Sequence, residues 1–120
     1  MYREEVARVT AMGYPESRVV WTSDIDPGAD HDIQSVDDDG QTLWIEVKSS
    51  TGRDGRFRWP KAEFEKAIGE RKRYILWRVY KADSASPTIK PFRDPIGLLI
   101  RNRMGLDINS LSAEIESLAG

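Results

Sequence analysis

His31-Asp32-Ile33-Gln34-Ser35-Val36-Asp37-Asp38-Asp39-Gly40-Gln41-Thr42-Leu43-Trp44-Ile45-Glu46-Val47-Lys48-Ser49 is the stretch whose reading decides the fold. Two runs of strand-forming residues flank Asp37-Asp38-Asp39-Gly40, a strong turn signal, so the stretch predicts a hairpin. One arm carries Asp32; the other carries Glu46 and Lys48. Side chains alternate across a strand, which puts Leu43, Ile45, Val47 and Ser49 on one face and Trp44, Glu46 and Lys48 on the other. Glu46 and Lys48 then stand about 6.5–7 Å apart along the strand, close enough to reach one phosphate-sized group. Asp32 falls with Gln34 and Val36, and only the pairing register decides whether that is the Glu46 face.

Upstream, residues 2–13 predict a helix that stops at Gly13 before Tyr14-Pro15. Tyr2, Val6, Val9 and Met12 share its apolar face, with Glu5 inside the stripe and Glu4 outside it. Arg18–Thr22 predicts a first strand, followed by a loop from Ser23 to Asp30. Downstream, Gly52–Gly55 reads as a loop and Arg56–Trp59 as a short extended piece. Lys61–Lys72 predicts a second helix with Phe64, Ala67 and Ile68 inward. Tyr74–Tyr80 is apolar at nearly every position and predicts a central strand covered on both faces. Thr88–Phe92 reads as an edge strand, and Asp94 as the N-cap of a helix through Arg103. Leu111, Ile115 and Leu118 predict a last amphipathic helix within an extension of about 104–120, capping the core or contacting a partner. The fold class is thus α/β, more closely an α+β mixed sheet, in the order α-β-β-β-α-β. One domain over 1–120 is expected, with its core at about 2–100.

A chain of 120 residues that is 39% hydrophobic and holds four tryptophans can bury a modest core. It has no cysteine, which excludes disulfides and thiolate metal sites. The charged start and the lack of an apolar run of roughly 20 residues give no sign of a signal peptide or a membrane span, so a cytoplasmic protein is expected. The net charge of −2 hides an uneven distribution. Residues 1–47 hold three basic and eleven acidic side chains, net −8, whereas residues 48–81 hold eleven basic and four acidic, net +7. Such a division suits a cation-binding face beside a polyanion-binding one, though solvated surfaces account for it equally.

Two converging carboxylates repel unless a proton or a cation lies between them, and a hard divalent ion is the economical partner. In that reading Asp32 and Glu46 hold Mg²⁺, with Mn²⁺ able to substitute, and the Val47 backbone carbonyl is a further ligand. Glu5 extends the site or serves a second metal. Lys48 orients the attacking water or neutralises the transition state, so Asp32, Glu46 and Lys48 are the candidate catalytic residues for metal-assisted hydrolysis. By itself an acid-x-lysine on a strand is a common surface ion pair. Arg53, Arg56, Arg58 and Lys61 follow directly and are candidates for nucleic-acid backbone contacts. His31, Gln34 and Ser49 can reach phosphate, or else pack and shape the strand ends. Phe57 can stack on bases, whereas Trp59, Trp21, Trp44 and Trp77 read as core. Glu63 is a candidate holder of Lys48 or of a loop amide.

These residues resemble the PD-(D/E)XK nuclease superfamily. More narrowly, the chain is similar to the C-terminal domain family of the plant NO VEIN protein, which also occurs in bacterial restriction and defence proteins. The resemblance is carried by Ala29–Ser35, Ile45–Gly52, Trp59–Ala67 and Tyr74–Tyr80, and spans about residues 2–100. It implies a restriction endonuclease-like core, a nuclease site at Asp32, Glu46 and Lys48, Mg²⁺ as the usual metal, and nucleic acid, DNA first, as the partner. Superfamily members also include inactive binding or assembly modules. For a domain this small, cutting by a dimer and cutting under a fused or separate recognition subunit are both open.

Overall fold

A computed structural model describes residues 2–107, 112–115 and 118. Among the described residues two sheets and four α-helices make up a mixed α+β architecture. Helix α1 (Tyr2–Ala11) leads through a single helical turn to β1 (Val20–Trp21) and the short helix α2 (Thr22–Ile25). Strands β2 (Ile33–Val36) and β3 (Thr42–Ser49) form the expected hairpin. Its turn is closed by Asp37, whose Oδ1 accepts from the Asp39 and Gln41 amides at 2.9 Å. Gly40 takes the positive φ of 78° that the turn requires and that side chains disfavour.

Then follow β4 (Arg56–Arg58), α3 (Lys61–Glu70), β5 (Tyr74–Tyr80), β6 (Thr88–Arg93), α4 (Pro95–Ile100), β7 (Met104–Asp107) and β8 (Ser112–Ile115). The main sheet runs β1-β2-β3-β5-β6, with β3 and β5 parallel and the other pairs antiparallel. As expected, β5 is central and β6 lies at an edge. The alternate residues of β5 face two layers: Tyr74 and Leu76 pack against α3, α4 and the second sheet, and Ile75 and Trp77 lie on the α1 side. Asp94 caps α4 as expected, its Oδ1 accepting from the Gly97 amide at 3.2 Å. Among the described residues no helix is long and apolar enough to cross a membrane.

Several sequence expectations are corrected. The first strand keeps only Val20 and Trp21, because Thr22–Ile25 turns into helix where a loop is expected. The helices predicted to reach Lys72 and Arg103 stop at Glu70 and Ile100. Ile68, expected inward, is 49% exposed, since the sheet side of α3 is filled by Phe64 and Ala67. Trp21, expected in the core, is 49% exposed on the short edge strand. Val36 packs in the α1-side cluster instead of following Asp32. Most consequentially, Ile115 lies in a strand and not in a helix; Leu111 falls outside the described residues. Residues 112–115 pair with β4 and β7 in a three-stranded sheet, and Ala113 and Ile115 bury themselves with a period of two. The period of two wins over the helical spacing because β4 offers a partner edge more than fifty residues away in sequence.

Candidate functional site

The hairpin register settles the face of Asp32. Gln34 lies directly across from Trp44, and Ile33 across from Ile45, so one further step puts Asp32 opposite Glu46. Asp32 is held there by its own backbone and side chain: its amide donates to the Ile45 carbonyl at 2.9 Å, and its Oδ2 accepts from the Val47 amide at 2.8 Å. The Asp32 and Glu46 side chains therefore stand on one face of the hairpin, close enough for the Asp32 charge to act on the Glu46 carboxyl. From α3, Glu63 reaches Lys48. Lys48 Nζ lies 2.6 Å from Glu63 Oε1 and 3.5 Å from Glu46 Oε1. The suggested pairing of Glu63 with Lys48 is thus present.

The electrostatics follow from burial. Glu46 is 4% exposed, and loss of water, then the Asp32 and Glu63 charges, push its carboxyl up to about 9 despite the opposing pull of Lys48. Tyr74 lies beneath the cluster, its hydroxyl also raised by burial and then by Glu46. Tyr74 Oη and Trp59 Nε1 are buried without a hydrogen-bond partner among the described residues. This is a pocket of excess negative charge.

The carboxylates of Asp32 and Glu46 are oxygen donors of the type that a hard divalent cation takes. No group of three or more His, Asp or Glu side chains among the described residues is gathered closely enough to hold a metal alone. An ion here would take the Asp32 and Glu46 carboxylates, the Val47 carbonyl and water, a mixed oxygen shell of the kind Mg²⁺ accepts.

Other candidates are placed elsewhere. Glu5 is 2% exposed on the opposite face of the sheet, bound by Arg8 and by Ser35 Oγ at 2.9 Å. Ser35 is three residues along β2 from Asp32, roughly 10 Å, so Glu5 is a buried structural acid and not a ligand of this site. His31 is buried: Nδ1 pairs with Asp30 Oδ1 at 2.8 Å, Nε2 meets Thr22 Oγ1 at 2.9 Å, and the ring packs edge-on to Trp44. Both ring nitrogens are thus engaged by neighbours, and the ring anchors the approach to Asp32. Phe57 is buried in the second core, so base stacking by it is excluded; Trp59 is core as expected. Gln34 is half-buried on the Asp32 face, and Ser49 is exposed at the end of β3. Arg53, Arg56, Arg58 and Lys61 are all exposed, with Arg56 and Arg58 flanking inward Phe57 on β4.

Two groups were not singled out from sequence. Lys66 sits 3.6 Å over the Trp44 ring and 4.0 Å from Asp30, adding a cation beside the approach to Asp32. Arg78, across from Lys48 on β5, is fully buried, and its burial lowers the guanidinium's affinity for its proton. Its NH1 donates to the Lys48 carbonyl, and its NH2 donates to the carbonyls of Asp54 at 3.2 Å and Arg56 at 3.3 Å. One guanidinium thus ties the basic segment to the lysine strand. A lysine presents a single ammonium and cannot reproduce that fork. Arg78→Lys is expected to lower stability by about 2 kcal/mol through carbonyls left unpaired, read as a fall in the urea midpoint at unchanged slope.

No curated protein and no solved structure matches the chain. The model of the C-terminal domain of protein NO VEIN matches residues 2–92, which takes in α1, the hairpin with Asp32, Glu46 and Lys48, Glu63 on α3, and the parallel strand β5. This chain therefore belongs to the NO VEIN C-terminal family.

Proposed function

We propose that this domain is a metal-dependent nuclease of restriction endonuclease-like fold that hydrolyses phosphodiester bonds, with DNA as the substrate class. The observation that carries the reading is the meeting of the Asp32 and Glu46 carboxyls beside Lys48, with Glu46 pushed up to about 9. Two acids held together in a buried place are costly unless something positive joins them. Mg²⁺, or Mn²⁺ in its place, would supply an activated water and charge stabilisation at the scissile phosphate. The residues of the chain do the rest. Asp32 and Glu46 bind and orient, and Lys48 places an ammonium against the phosphate charge that grows during attack. Glu63 positions Lys48, and the Arg53–Lys61 segment, tied to Lys48 through Arg78, offers a track for the backbone.

A second reading has its own support. Lys48 is closer to Glu63 than to Glu46, and Glu46 is nearly inaccessible, so the cluster can also persist as an internal ion network in a catalytically inactive nucleic-acid-binding or assembly module. The full chain, incubated with single- and double-stranded DNA and RNA, decides. Cleavage that needs Mg²⁺ or Mn²⁺ and disappears in Glu46→Ala supports the nuclease. Salt-sensitive binding without cleavage, unchanged in Glu46→Ala, supports the module. A restriction or defence setting in the cytoplasm, with cutting by a dimer or under a recognition subunit, belongs to the same proposal.

A further inference from the structure

On the α1 side of the main sheet, a cleft of about 700 Å³ opens at the carboxyl ends of the parallel strands β3 and β5. Its volume lies within the range of about 300–1,000 Å³ typical of small-molecule sites. Strand ends of this kind are where open sheets offer room for ligands. Ile33, Val47 and Val79 floor it, and Ser49 and Ser23 add hydroxyls. One wall is aromatic: Trp21 and Tyr2 stack with ring centroids 5.9 Å apart and planes 24° apart. Tyr2 covers part of the indole, yet Trp21 keeps 49% of its surface in solvent, whereas Trp59 in the core keeps 2%. Exposed Arg3 stands on the same wall, and Asp32 lines the cleft from its other side.

We propose that this cleft receives an unpaired nucleotide of a single-stranded nucleic acid, with its base stacked on Trp21 and a neighbouring phosphate on Arg3. Stacking on an indole needs an exposed base face, which an intact duplex does not present. The pairing of a cation and a flat apolar wall is the complement of a phosphate joined to a base. Asp32 belongs both to this cleft and to the carboxylate pair, so a strand seated here lies beside one of the two acids assigned to the nuclease site. The inference rests on the nuclease reading for that last step alone; the binding stands without it.

The test is fluorescence anisotropy of a labelled oligothymidylate with the full chain in EDTA, which removes cleavage from the measurement. Trp21→Ala is expected to weaken binding by about tenfold, with Trp21→Phe recovering most of it. Arg3→Ala, a change at an exposed side chain, is expected to reduce the salt dependence by about one phosphate contact. A hairpin duplex of matched length should be indifferent to Trp21→Ala. Binding by both alanine variants at wild-type strength overturns the inference, as does an absence of single-strand binding by the wild type; neither outcome touches the cleavage assay. Trp21-dependent binding by a chain that never cleaves with Mg²⁺ or Mn²⁺ would instead remove the nuclease reading and leave the cleft assignment standing.

Discussion

Glu46→Gln is expected to melt about 5–10 °C above the wild type at pH 8 in EDTA, with the gap closing toward pH 5. The Glu46 carboxyl is raised to about 9 in the folded chain, first by burial and then by Asp32 and Glu63. Its ordinary value is 4.5, so between these two pH values the folded state holds a proton that the unfolded state has released. Stability is therefore full below about pH 4.5 and declines as pH climbs toward about 9. Glutamine remains neutral and escapes that decline. At ~1.4 kcal/mol per unit the ceiling is large, but relaxation and water entry reduce it to about 1–3 kcal/mol at pH 8. Mg²⁺ gives the second arm of the experiment: it should raise the wild-type melting temperature at pH 8 and leave Glu46→Gln unmoved. Parallel melting curves for the two proteins from pH 5 to 9 would show that Glu46 holds no such extra proton in the folded state.

The second large effect is on chemistry. Lys48→Ala is expected to reduce Mg²⁺-dependent cleavage by about 10²–10³-fold, the cost of removing one preorganised charge from a developing oxyanion. Oligonucleotide affinity should change far less, because the proposal assigns the sequence-blind contacts to the exposed arginines and Lys61. The same substitution withdraws the cation shared by Glu46 and Glu63, so the variant should also lose stability at high pH. Adding Glu63→Gln separates the two consequences: it restores the melting temperature and leaves cleavage low. A Lys48→Ala protein that cuts at the wild-type rate would refute the role given to the lysine.

How much of this site was legible in the sequence differs from residue to residue. Glu46 and Lys48 needed only the alternation of a strand, and the structure places them on one face as the period requires. The Asp32 position depended on register, and the turn built by Asp37 and Gly40 supplied it by aligning Gln34 with Trp44. Glu5 shows the reach of helical projection. It correctly puts the acid on the buried stripe of α1, but it cannot tell which row of the sheet that stripe meets. The stripe meets Ser35 and not Asp32. Trp21 has a similar history, since hydrophobicity argues for burial but a two-residue edge strand offers nothing to cover it.

The sequence by itself determined the local elements: the α1 stripe, the hairpin and its turn, the strongly apolar β5, and the shared face of Glu46 and Lys48. Each is written in a period of two or of 3.6 within a few neighbouring residues. Only the tertiary structure decided that Glu63 closes on Lys48, that Arg78 binds the basic segment to the lysine strand, and that residues 112–115 join β4 in a second sheet. It also decided that Asp32 faces both the carboxylate pair and the aromatic cleft. These contacts join segments 15 to more than fifty residues apart. Their energies come from burial and pairing between surfaces that no local pattern brings together.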